Sequence, residues 1–170
     1  TGPDLDAASD TGASSTDDVT SDTTPTFTLS GCVGDDTVTL LADDTPIGTA
    51  TCAGGTATIT ADPPLADGSH HIVWTDTDPA GNTSAASPAI DVTVDTVVPD
   101  APTTAPDLAA ASDTGVSSTD DLTNDTTPTF TVSCTTDDTV TLYDGTTAVG
   151  SGRCISGAAA VTVDTPFADG

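Results

Sequence analysis

Carboxylates are the residues here whose type and spacing could do chemistry. The phrase "PDLDAASDTGASSTDDVTSDTTPTF" runs from Pro3 to Phe27, and "PDLAAASDTGVSSTDDLTNDTTPTF" runs from Pro106 to Phe130. The first offers Asp4, Asp6, Asp10, Asp17, Asp18 and Asp22, and the second Asp107, Asp113, Asp120, Asp121 and Asp125, with Ser and Thr between them. Calcium takes about six to eight oxygens at roughly 2.3–2.6 Å from carboxylates, carbonyls and water. Aspartate is a short-armed ligand suited to a turn, and Asp-Thr-Gly can fold a chain back around an ion. Ala109 stands where the first copy has Asp6, which weakens Asp6 as a candidate.

The acidic phrase is expected beside the far end of a preceding domain. There "DTDPAGN" would add Asp76, Asp78 and Asn82, and the following linker Asp95 and Asp100. The candidate calcium ligands are therefore Asp4, Asp10, Asp18, Asp22, Asp76, Asp78, Asn82, Asp95, Asp100, Asp107, Asp113, Asp121 and Asp125. Neighbouring acids still repel across a screening length of about 8 Å in physiological salt. A divalent ion would relieve that repulsion and stiffen the joint. The competing reading is a solvated acidic linker whose aspartates cap turns. The Asp-x-Asp-x-Asp-Gly loop with a terminal Glu is absent, so this is not an EF-hand.

Other chemistry is poorly supported. His70 and His71 are adjacent on an expected strand and point to opposite faces, so they cannot clamp one metal. No Gly-x-Ser-x-Gly elbow occurs. "SDTGASS" contains the Asp-Thr-Gly of aspartic proteases, but no hydrophobic strand precedes it. Without Lys, a Lys–Asn cross-link cannot form. Asn82-Thr-Ser and Asn124-Asp-Thr fit the glycosylation sequon. No enzymatic role is expected.

Composition narrows the class further. Of 170 residues, 27 are acidic, all of them Asp, against the single basic residue Arg153, for a formal charge of −26. Such a chain has nothing to neutralise phosphates, which argues against nucleic acid and against anionic membrane surfaces. No apolar run approaches the ~20 residues of a membrane helix. No signal peptide is visible and the first residue is not Met, so a mature piece or an excised fragment is expected.

The elements that must position these groups follow from an internal repeat. Phe27 and Phe130 are 103 residues apart, while Cys32–Cys134 and Cys52–Cys154 are each 102 apart, with Gly31 missing from the second copy. Apolar–polar alternation predicts strands over 24–30, 36–42, 46–52, 56–61, 70–77 and 89–95. Turn residues separate them, with Asp35-Asp36 and Asp43-Asp44 expected as solvated hairpin acids. Short strands at this density predict an all-β, antiparallel β-sandwich. Alternation selects Phe27, Leu29, Val38, Leu40, Ile72, Trp74, Ile90, Val92 and Val94 as core. Residues 1–98 form repeat 1, with acidic segment 3–23 and sandwich 24–95. Residues 99–105 are a linker within a Pro-rich extended stretch, and 106–170 are repeat 2 without its last two strands. That second sandwich should expose a strand edge unless the chain or a neighbouring subunit supplies the strands.

Four cysteines allow three pairings. Their matched positions favour Cys32–Cys52 and Cys134–Cys154, one bridge per repeat. Such bridges indicate an oxidising, extracellular place.

The phrases "DTTPTF", "LADGSHHIVWTDTDPAGNTSAAS" and "VDTVVPDAPTTAPDL" together resemble the tandem bacterial immunoglobulin-like repeats of giant type I-secreted, biofilm-associated surface adhesins. The resemblance covers nearly the whole chain. It implies tandem immunoglobulin-like sandwiches joined by short Pro/Asp-rich linkers, serving as a stalk at the cell surface. Calcium at the joints and neighbouring repeats as partners come with it. The four cysteines depart from the family pattern. Two other readings stand: a fibre subunit assembled by strand addition between neighbouring subunits, and a carbohydrate-binding module. The last needs exposed aromatics, and Trp74 and Tyr143 are the sole Trp and Tyr.

Overall fold

The computed structural model describes residues 1–12 and 14–168. The chain divides into two units, Thr1–Val97 and Val98–Gly170. In unit 1 the strands are β1 (Asp4–Leu5), β2 (Val19–Thr20), β3 (Thr26–Ser30), β4 (Thr37–Ala42), β5 (Thr45–Thr51), β6 (Thr56–Thr60), β7 (Gly68–Thr77) and β8 (Ile90–Val94). They form two sheets, β1-β3-β6 and β2-β8-β7-β4-β5. All six strands expected from alternation are present, with ends moved by a residue or two.

The alternation works because successive side chains of a strand take opposite faces. Phe27, Leu29, Val38, Leu40, Ile72, Trp74, Val92 and Val94 are buried between the sheets, as expected, while Ile90 is only partly buried at the margin. Leu5, Ile47, Ala57 and Ile59 complete the core. The β4–β5 hairpin turns on Asp43 and Asp44, with φ of 50° and 65°. Two left-handed residues in a two-residue loop give a turn whose twist matches the strands.

One expectation needs correcting. The acidic segment 3–23, expected within repeat 1 but ahead of a sandwich starting at residue 24, is itself part of that sandwich. Its Asp4–Leu5 pairs antiparallel with β3, burying Leu5, and its Val19–Thr20 pairs with β8. That second pairing is parallel, the exception in an otherwise antiparallel unit. Two-residue strands are too short to show any periodicity in sequence.

Register separates the two ends of unit 1. β7 starts at Gly68, opposite Val94, and finishes at Thr77, opposite Thr37. At about 3.3 Å per residue, those ends lie roughly 30 Å apart.

Unit 2 contains β9 (Asp107–Leu108), β10 (Thr129–Ser133), β11 (Thr139–Asp144), β12 (Thr147–Arg153) and β13 (Ala158–Thr162), in sheets β13-β10-β9 and β11-β12. Val132, Ala159 and Val161 are buried together. Phe130, Val140 and Leu142 are only half-buried, whereas their counterparts Phe27, Val38 and Leu40 are fully enclosed. Among the described residues, β11 pairs with β12 alone. The cysteines pair as expected, Cys32–Cys52 and Cys134–Cys154.

Candidate metal centre

The repeated phrase folds as the same hydrogen-bonded frame in both units. In unit 1 the amides of Ser9 and Asp10 donate to the Asp6 carbonyl at 2.7 and 3.0 Å, closing a turn. The Ser9 hydroxyl then donates to Asp22 Oδ2 at 3.1 Å and accepts from the Thr26 amide at 3.0 Å, tying the loop to the start of β3. Asp22 Oδ1 accepts the Thr24 amide at 2.9 Å, and the Thr20 hydroxyl donates to the Ser9 carbonyl. The Gly12 amide closes the loop by donating to the Val19 carbonyl at 3.2 Å.

Unit 2 repeats each link. The amides of Ser112 and Asp113 donate to the Ala109 carbonyl at 2.7 and 3.0 Å. Ser112 donates to Asp125 Oδ2 at 3.2 Å and accepts from the Thr129 amide at 3.0 Å. Asp125 Oδ1 accepts the Thr127 amide at 3.0 Å, and Gly115 donates to the Leu122 carbonyl at 3.1 Å. The frame uses only the backbone carbonyl at position 6, so Ala109 does no harm there. The Asp6 carboxylate is engaged elsewhere, accepting from the Thr28 hydroxyl at 2.7 Å.

Within this frame one carboxylate per unit stands out. Asp10 is 5% exposed and Asp113 6% exposed, and in both the buried Oδ1 has no hydrogen-bond partner. A buried, unpartnered carboxylate oxygen is costly. Asp18, held at φ 57°, is pushed up from the ordinary carboxylate value by partial burial, then by Asp10, Asp4 and Asp17. Asp121 takes the same left-handed backbone, φ 58°. The loop thus concentrates negative charge around a carboxylate that the protein leaves incompletely satisfied. Asp22 and Asp125 hold the frame together.

The remaining candidates are distributed as follows. Asp95 lies at the same end as the loop, since its amide donates to the Thr20 carbonyl at 2.8 Å. Asp76, Asp78 and Asn82 do not join it. Register places them at the opposite end of unit 1, by Thr37. The expectation that they share the far end of the domain with Asp95 is corrected by the direction of β7. At their end Asp76 Oδ2 accepts the Val33 amide at 3.1 Å, while its buried Oδ1 has no partner. Asp36 is raised there by partial desolvation and by Asp76, Asp78 and Asp35. Asp36, expected as a solvated hairpin acid, is therefore part of an acidic cluster. Asp78 caps its own turn, accepting from Asn82 Nδ2 and from the amides of Asn82 and Ala80, and these bonds lower its pKa, the Asn82 side chain most. In unit 2, Asp107 is an exposed residue of β9, and Asp100 lies in the segment before it, which has no strand.

Among the described residues, no three acidic, His or Cys side chains already converge as a ligand group. A cation at either cluster would draw on carbonyls, water or a neighbouring segment as well. His70 and His71 take separate partners, Asp43 and Asp91, as their opposite directions require.

Two-sheet sandwiches repeated in tandem, each carrying this loop, define an immunoglobulin-like architecture. The profile of the family described as bacterial Ig-like domain matches residues 1–96 and again residues 100–170. The chain belongs to that family. No curated protein matches it.

Proposed function

We propose that this chain is a spacer: a tandem piece of the stalk of an extracellular, cell-surface adhesin. Calcium stiffens the ends of its units, and one disulfide braces each sandwich. Neighbouring repeats of the same chain are its principal partners. The single observation that carries the calcium reading is the buried, unpartnered Oδ1 of Asp10, repeated at Asp113 in the same frame. A divalent ion would satisfy that oxygen and cancel the repulsion with Asp18. Asp4 or Asp95, and Asp121 in the second unit, are the nearest further candidates by end and charge. The disulfides support an oxidising location.

The test is thermal unfolding in millimolar calcium and in excess chelator, followed by the fluorescence of Trp74, which reports unit 1 alone. A ligand that binds only the folded state stabilises it by about 2.7 kcal/mol at a hundred times its dissociation constant. Wild type should gain on adding calcium, and Asp10→Asn should lose that gain while melting no lower in chelator. Coincident melts of wild type in the two conditions would leave the loop as a solvated cap.

A second reading rests on a different observation. Phe130, Val140 and Leu142 are half-buried where unit 1 covers the same positions with β7 and β8. Strands of that pattern added along β11 could come from the chain's own continuation or from a neighbouring subunit, and only the second would build a fibre. Filaments in negative stain would favour this reading, and single short rods would count against it.

A further inference from the structure

We propose that His70 is a built-in cation that pins the outgoing end of unit 1, and that losing its proton loosens the root of the segment leading out. Its Nδ1 lies 2.8 Å from Asp43 Oδ2, and its Nε2 lies 2.8 Å from the Ala66 carbonyl oxygen. An ionised carboxylate and a carbonyl can only accept. A neutral imidazole has one N–H, so one of these contacts would then set lone pair against lone pair. Both contacts are made together only by the imidazolium.

The surroundings favour that charge. Asp43 comes from the β4–β5 turn, and its other oxygen accepts the His71 amide at 2.9 Å. From β8, the residue opposite His70 is the uncharged Val92. Asp44 in the turn, Asp62 and Asp67 in the preceding loop and Asp91 beside His71 on β8 are exposed acids. No Lys or Arg occurs in unit 1, because the single Arg lies at position 153. The Ala66 hydrogen bond and then Asp43 raise His70 above the ordinary 6.5, against the opposing effect of burial. His71 differs: among the described residues its ring hydrogen-bonds to Asp91 alone, and its side chain is 63% exposed.

The clamp reaches the outgoing segment through two residues. Ala66 precedes Asp67, whose carboxylate accepts the Thr96 amide at 3.0 Å and the Thr96 hydroxyl at 2.9 and 3.0 Å. Thr96 lies two residues past the end of β8, in the stretch without strands. His70 therefore holds the loop that holds Thr96. Because its folded pKa is raised, the stabilisation is complete below 6.5 and is lost as pH rises through the folded value.

The experiment is a pH titration of the full chain by ring-carbon NMR, with His71→Gln assigning the two signals. Amide exchange at Thr96 is followed in parallel, as protection relative to the intrinsic rate. His70 should titrate above the ordinary 6.5, and Asp43→Asn should bring its midpoint down. Thr96 protection should fall several-fold with the His70 midpoint. A His70 midpoint at or below 6.5 overturns the cation. A raised midpoint with Thr96 protection indifferent to it overturns the coupling to the outgoing segment.

Discussion

Replacing Cys32 and Cys52 together by Ala removes a cross-link between residues 20 apart in sequence. Chain-entropy arguments assign a loop of that length about 3 kcal/mol at 25 °C, through the denatured ensemble. The native side should change little. The Cys52 amide still donates to the Asp36 carbonyl at 2.9 Å, and the Gly31 amide to Gly55 at 2.8 Å, so both strands stay in register. Removing two buried sulfurs, Cys52 being 2% exposed, adds a small packing loss of the same sign. For a unit of this size each kcal/mol moves the melting temperature by about 4–8 °C, so a fall of roughly 15 °C is expected. Trp74 fluorescence reads it without interference, since unit 2 contains no Trp. The control is Cys134→Ala with Cys154→Ala, where the separation is again 20. The same entropic loss should arise there and leave the Trp74 transition in place. A fall of only a few degrees in the first variant would refute the assignment of stability to loop closure.

Two further expectations concern packing and charge. A Cβ at Gly48 would overlap Ile59 Cγ2, so Gly48→Ala should destabilise unit 1 by about 1–3 kcal/mol, read as a lower urea midpoint at constant slope. Asp18 is raised above the carboxylate value of 3.8, so the folded state holds its proton more tightly than the unfolded one. Its favourable contribution is present below 3.8 and is lost as pH rises through the folded value. In chelator near pH 7, Asp18→Asn, which tolerates the left-handed backbone, should therefore be more stable than wild type, by a margin that closes on acidification. Equal urea midpoints of the two proteins across that range would remove Asp18 from the acidic cluster.

Much of the sandwich was legible in the residues themselves. Alternation along β3, β4, β7 and β8 marks Phe27, Leu29, Val38, Leu40, Ile72, Trp74, Val92 and Val94 as inward-facing because side-chain direction has a period of two, a local property. The matched spacings of Cys32, Cys52, Cys134 and Cys154 specify the pairing because two copies of one fold must close the same loop. Turn acids such as Asp43-Asp44 are likewise local. The acidic phrase is different. Its two-residue strands carry no period, so their pairing with β3 and with β8 depends on the finished sheets. Which carboxylates meet is also a long-range matter. Asp36 finds Asp76, and Asp95 finds the Asp10 loop, because β7 runs one way between the two ends of the unit. The burial of Asp10 and the clamp of His70 between Asp43 and Ala66 exist only once several segments have packed, since no segment alone excludes water or aims two acceptors at one ring.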